Sequence, residues 1–162
     1  MEFRVGLGHD SHAFAEGKKC VLGGVVFEGE RGFKANSDGD VVLHALCNAL
    51  ASSVGGRSLS SYADDLCKKG ITDSREYVKV ALKKVKEAGY SVSNVSVSIE
   101  CAKPKIEPSF EKMQLSLSKI LGIPSDKVGI TATTGETLSA FGKGDGVMAY
   151  AVVLVTKEKQ RV

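Results

Sequence analysis

Prolines are scarce, three in 162 residues, and the sequence has no paired C-x-x-C spacing, no block of like charge, no internal repeat and no low-complexity tract. No run of about 18 apolar residues is present, which excludes a helix that crosses a bilayer. Met1 to Asp10 lacks the basic start and apolar middle of a secretory signal, so the expectation is a soluble protein of a reducing compartment, the bacterial cytoplasm. The cysteines Cys20, Cys47, Cys67 and Cys101 stand far apart, each in or beside an apolar stretch, and read as reduced, mostly buried thiols. Lys and Arg number 22 against 19 Asp and Glu and are spread along the chain, a net +3 that favours neither a nucleic acid nor a membrane surface as partner. With no composition break and 43% hydrophobic residues, the chain is expected to fold as a single domain over 1–162 with a proper core.

What is abundant is glycine, eighteen residues, grouped at Gly6 and Gly8, Gly23 and Gly24, Gly55 and Gly56, and Gly142 to Gly146. Between so few prolines these groups read as turns or close backbone approaches and not as linkers. Phe3–Gly8 is apolar enough for a strand, and Cys20–Phe27, with its central glycine pair, for a second strand or hairpin. Val41–Val54, dense in Val, Leu and Ala, reads as a buried helix. From Asp73 a D-x-x-E capping pattern ending at Glu76 opens a helix whose apolar positions, Tyr77, Val78, Ala81, Leu82, Val85 and Ala88, recur at helical spacing up to Gly89. Val95, Val97, Ile99 and Cys101 alternate with polar residues as on a strand. A helical stripe follows from Phe110 to Leu121, then strands at Val128–Thr133 and Val147–Thr156. The fold class is therefore α+β, a mixed α/β layer structure with one sheet packed against helices.

Asp10 and His12 stand two apart after the first strand, so in extended chain both side chains leave the same side of the backbone. His44 lies on the helix, one turn after Asp40. Two imidazoles and a carboxylate suit zinc and leave a fourth position open, as a catalytic site requires. Taken singly, each His is better explained as an ordinary hydrogen-bonded residue. His9, which points to the opposite side of a strand, reads as structural. Asp40 reads either as an outer acceptor that orients His44 or as a helix cap. The segment between Val54 and Tyr62, rich in Gly and Ser, reads as a flexible loop that orders over substrate.

The run Gly8-His9-Asp10-Ser11-His12-Ala13-Phe14, followed by Ser37-Asp38-Gly39-Asp40 and His44, is similar to the signature of the 2-C-methyl-D-erythritol 2,4-cyclodiphosphate synthase family. Asp73-Ser74-Arg75, Lys103-Pro104-Lys105, Thr133-Thr134-Gly135-Glu136 and Gly142-Lys143-Gly144-Asp145-Gly146 match in the same order, so the resemblance runs from about Val5 to Val155. It implies closure of a cyclic diphosphate from 4-diphosphocytidyl-2-C-methyl-D-erythritol 2-phosphate with release of CMP, a step of non-mevalonate isoprenoid synthesis. It also implies one zinc ion on Asp10, His12 and His44, and a magnesium or manganese ion on the substrate diphosphate, bound with the help of Glu136. Thr133 and Thr134 would contact the nucleotide's phosphates, Thr134 within the catalytic group, and Cys101 to Glu107 would form the cytidine pocket with Lys105, Ile106 and Glu107. Asn36, Ser37 and Ser74 would contact substrate. The resemblance further implies a homotrimer with active sites between subunits, and Lys143 and Asp145 near the mouth of a central cavity that takes an isoprenoid diphosphate in relatives.

The match fails between Val54 and Tyr62, where the family's sugar-binding Gly-Asp-Ile-Gly turn is replaced by Gly55-Gly56-Arg57-Ser58-Leu59-Ser60. Asp64 or Asp65 is then the nearest carboxylate for the erythritol hydroxyls. Asn36 stands where a phosphate-contacting His is common, and Thr137 where a Lys is common. Two other readings fit the same residues: a metal-dependent phosphohydrolase that activates water, and a trimeric nucleotide- or isoprenoid-binding protein without turnover.

Overall fold

The computed structural model describes residues 1–158; positions 159–162, the tail of the domain expected over 1–162, lie outside the described residues. Strands β1 (Glu2–Leu22) and β2 (Val25–Phe33) are followed by helices α1 (Val41–Ser53), α2 (Ser60–Lys68) and α3 (Ser74–Glu87). Then come β3 (Ser91–Glu100), α4 (Phe110–Leu121), β4 (Val128–Thr133), the short α5 (Ala140–Lys143) and β5 (Gly146–Lys157). The strands form one sheet in the order β2-β1-β5-β3-β4, antiparallel except for the β3–β4 pair. This is the mixed α/β class read from the sequence.

The first strand is much longer than its apolar run. Phe3–Gly8 continues through Asp10 and His12 because β5 pairs with it from Glu2 to Ala13, after which β2 takes over from Phe14 to Leu22. Backbone pairing thus carries the chain through polar residues that end the hydrophobic signal, and the D-x-H pair lies inside the strand instead of after it. The reversal falls at Gly23 and Gly24, whose φ values of 60° and 75° suit residues without a Cβ.

The helices start and stop where local chemistry directs. Asp73 caps α3 by accepting from Arg75 N–H at 2.9 Å, but Glu76 does not complete the expected box; its carboxylate takes Lys79 Nζ at 2.6 Å. Gly122, at φ 68°, terminates α4. The segment expected as a loop between Val54 and Tyr62 is non-helical only as far as Leu59, after which helix α2 begins. Its entry residue Leu59 provides no side-chain cap, which hides the start, while Ala63 is buried and Tyr62 Oη donates to Tyr77 O at 3.1 Å to tie α2 to α3.

One face of the sheet is covered by α1 and its neighbours. Val147, Ala149, Ala151, Val153 and Val155 of β5 are buried there beneath an α1 that is buried along most of its length. On β1 the same face carries Gly6 and Gly8, where an added Cβ would meet Ala49 O at 1.9 Å and Ala45 O at 2.2 Å. Helix backbone therefore rests directly on strand backbone. The opposite face leaves Phe3, Val5 and Leu7 of β1 exposed, with Tyr150 and Val152 of β5 beside them. Replacing Gly8 by Ala should force α1 off the strand and cost about 2–3 kcal/mol, read as a lower urea midpoint at unchanged slope; an unshifted midpoint would contradict the close contact.

Candidate active site

Alternation along β1 sends Asp10 and His12 to the helix-covered face, where α1 delivers His44 from the side. Asp10 Oδ2 lies 2.9 Å from His44 Nδ1 and 3.3 Å from His12 Nε2, and the two ring nitrogens are 3.0 Å apart. Three ligand atoms held at about 2.0–2.1 Å around a tetrahedral cation stand roughly 3.3 Å from one another, so the triad has the dimensions of a tetrahedral face.

The proton of His44 can be placed. Ser74 Oγ donates to Asp38 Oδ1, a carboxylate that only accepts, so the 2.9 Å contact between Ser74 Oγ and His44 Nε2 must be donated by the ring. Nδ1 is then a bare lone pair facing Asp10 and His12. Burial, partly offset by the Asp10 charge, lowers the His12 pKa from its ordinary 6.5. For Asp10, burial raises the pKa, but its contacts with the two imidazoles and the Ser11 N–H prevail and hold it below its ordinary 3.8. An ionised carboxylate and two unprotonated nitrogens converging this closely repel one another unless a cation sits among them, and the residues present therefore fit a divalent metal.

Of the two readings of Asp40, the helix cap is the one the structure bears out. Asp40 is not the partner that orients His44. It is fully buried and accepts from Leu43 N–H at 3.0 Å, Gly23 N–H at 2.9 Å and Gly24 N–H at 2.7 Å, capping α1 and clamping it to the β1–β2 turn. Burial pushes its carboxyl up to about 6 against the pull of these donors, so at neutral pH it remains an anion and accepts all three. Ser74, expected among the substrate contacts, is fully buried and braces His44 with Asp38 behind it. Asp38 is a functional residue that the sequence reading passed over; its place in an S-D-G-D run one turn before the buried helix was the available signal.

The triad opens into a cleft of about 600 Å³ whose walls include Asn36, Ser37 and Asp64. Asp65 turns away, 75% exposed and 3.5 Å from Lys68 Nζ, so of the two candidate carboxylates only Asp64 reaches the cleft. His9, as expected, points the other way and stacks on Tyr150.

A second groove, of about 300 Å³, gathers Cys101, Lys105, Ile106, Glu107, Thr133 and Thr134 and shares no lining residue with the first. Thr133 Oγ1 accepts from Gly135 N–H at 3.0 Å, which leaves its hydroxyl proton for an outside acceptor. Glu136 follows on an exposed turn where it and Thr137 adopt φ values of 51° and 62°, costly for residues with a Cβ. Lys143 lies apart from both, in a third groove of about 280 Å³ with Phe14, Arg31 and Lys103. Replacing Ser74 by Ala removes the acceptor for His44 Nε2–H and should lower zinc affinity about tenfold to a hundredfold, with a stability loss of about 1–3 kcal/mol from the buried groups it leaves unpaired. Titration against a zinc chelator checks this, and an unchanged affinity would refute the assigned ring proton.

Known proteins place this arrangement. A model described as YgbB family matches residues 3–156. The chain is 46% identical to the 2-C-methyl-D-erythritol 2,4-cyclodiphosphate synthase of Chlamydia caviae over 96% of its own length and 90% of the relative's. Among solved structures it matches the bifunctional IspDF from Campylobacter jejuni with a TM-score of 0.90 and 30% identity, covering 98% of this chain but 43% of that one. It matches a 2C-methyl-D-erythritol-2,4-cyclodiphosphate synthase in a CDP-bound form with a TM-score of 0.86 and 32% identity, covering 94% and 100%. With the match spanning nearly every described residue and the relatives sharing close to half of them, the chain belongs to the YgbB family, that of the 2-C-methyl-D-erythritol 2,4-cyclodiphosphate synthases.

Proposed function

We propose that the whole chain acts as one cyclodiphosphate synthase domain, converting 4-diphosphocytidyl-2-C-methyl-D-erythritol 2-phosphate to 2-C-methyl-D-erythritol 2,4-cyclodiphosphate and CMP in the non-mevalonate pathway of a bacterial cytoplasm. The observation that carries this reading is the convergence of Asp10 Oδ2, His12 Nε2 and His44 Nδ1 at the floor of an open cleft. Asp10, His12 and His44 would hold zinc, and Glu136 would help hold magnesium or manganese. When bound, the two ions polarise the β-phosphate and offset the mutual repulsion of the phosphates.

The chain's own residues position the substrate. In the cleft, Asn36 and Ser37 face the phosphorylated erythritol, and Asp64 accepts from its hydroxyls in place of the missing sugar-binding Asp. In the second groove the Thr133 and Thr134 hydroxyls donate to the diphosphate, while Cys101 to Glu107 hold the cytidine; a solved relative carries CDP. A substrate oxygen attacks the β-phosphorus in line as the bond to CMP breaks, so the demand on the protein is alignment more than proton transfer.

The reading includes a homotrimer. Its support is that the metal cleft and the nucleotide groove share no lining residue, so one substrate can span both when a neighbouring subunit supplies the second. The exposed stripe of Phe3, Val5, Leu7 and Val152 offers an apolar surface for that contact. Lys143, with Asp145, would stand near the mouth of the central cavity, where an isoprenoid diphosphate is the candidate ligand.

Product analysis tests the chemistry: a cyclic diphosphate free of solvent oxygen is expected, and a linear phosphate with CMP would establish a hydrolase instead. Asp64→Ala should raise KM about tenfold or more through the lost acceptor, whereas Asp65→Ala should leave kinetics within about twofold. Equal behaviour of the two variants would remove Asp64 from the sugar site.

A further inference from the structure

The charge balance of the metal cleft leaves one cation unused. Among the described residues that line it, Lys34 is the only Lys or Arg, and the ionisable groups around it include Asp10 and Asp64. The Lys34 N–H donates to Ala13 O at 2.9 Å, which anchors its backbone beside His12 on β1. The residues that follow are braced by Lys18, whose ammonium donates to Ala35 O and, at 3.0 Å, to Ser37 O. Lys18 is thereby committed to carbonyls. Lys34 is exposed and has no ion-pair partner among the described residues, in contrast with Lys68 and Lys79, which hold carboxylates one turn away.

A phosphomonoester carries about −1.5 to −2 charges near neutral pH. With a dication on the triad offsetting Asp10, the cleft still presents the Asp64 carboxylate, Asn36 and Ser37 are neutral, and Lys34 is the lining side-chain cation that no carboxylate has claimed. The substrate's diphosphate must reach the other groove, where Lys105 is available, and this leaves Lys34 at the erythritol end. We propose that Lys34 contacts the 2-phosphate of the substrate, the attacking group, and holds it over the triad. The assignment rests on the cyclisation reading and adds to it a residue that binds the nucleophile.

The test compares wild type with Lys34→Gln and Lys34→Arg. Loss of a charged hydrogen bond should lower kcat/KM of the Gln variant about tenfold to a hundredfold, while its Kd for CDP, which lacks the 2-phosphate, stays within about twofold. The Arg variant should recover most of the loss, and added salt should slow wild type more steeply than the Gln variant. A Gln variant as active as wild type, an equal loss of CDP affinity, or equal losses in the Gln and Arg variants would overturn the proposal. Calorimetric binding of the intact substrate, with the divalent metals chelated so that no product forms, reads the same contact. A wild type that binds substrate through Lys34 yet forms no cyclic product would count against the functional reading and not against the contact.

Discussion

The seating of α1 on β1, backbone against backbone, is the contact on which the site depends. Gly6 and Gly8 leave no side chain between the strand and the carbonyls of Ala45 and Ala49, so the helix lies closer than any larger residue would permit. Asp40 fixes the helix along its axis by holding Leu43 N–H with one oxygen while its carboxylate also pins the Gly23-Gly24 turn. Each of these buried N–H groups left unpaired would cost on the order of 1–3 kcal/mol, which makes the clamp a stiff one. With both distance and register set, His44 has one place to go, and that place is beside Asp10 and His12. Behind it the Ser74–Asp38 pair fixes the ring's proton, so the preference for a cation is built in before any ligand arrives.

The sequence displayed the parts of this that are periodic or chemically singular. Asp10 and His12, two apart, share a face in any extended chain, and the apolar density after Asp40 marks α1 with His44 on it; both readings need only local geometry. The Val95 to Cys101 alternation and the Phe110 to Leu121 stripe are legible for the same reason. What was illegible depends on partners distant in sequence. The far half of β1 exists because β5 and then β2 pair with it, and nothing in Ser11 to Lys19 advertises that. Helix α2 was hidden by an entry without a cap and by serines and glycines that usually mark loops. The sequence left Asp40 between two roles and gave no sign of Ser74's brace on His44, because a capping Asp and an orienting Asp look alike until the chain brings Gly23 or His44 to them.

The chemistry open to the molecule is narrowed by what its nucleophiles are already doing. Burial pushes the thiols of Cys20 and Cys47 up to about 12 and that of Cys101 to about 11, so none offers a thiolate near neutral pH. The Ser74 hydroxyl is committed to His44 and Asp38, and Ser37 Oγ accepts from Gly39 N–H at 3.1 Å while lying 3.3 Å from His44 Nε2. Neither serine has a free general base. A covalent intermediate on either serine or on one of these three thiols would therefore lack an activated attacking group. What remains in the cleft is a rigid floor of metal donors, a rim of hydroxyls and amides with the Asp64 carboxylate and the Cys67 thiol among them, and, among the described lining residues, one lysine. That set can hold anions in a fixed relation but has little to give them chemically, which suits a reaction whose nucleophile and leaving group both belong to the substrate.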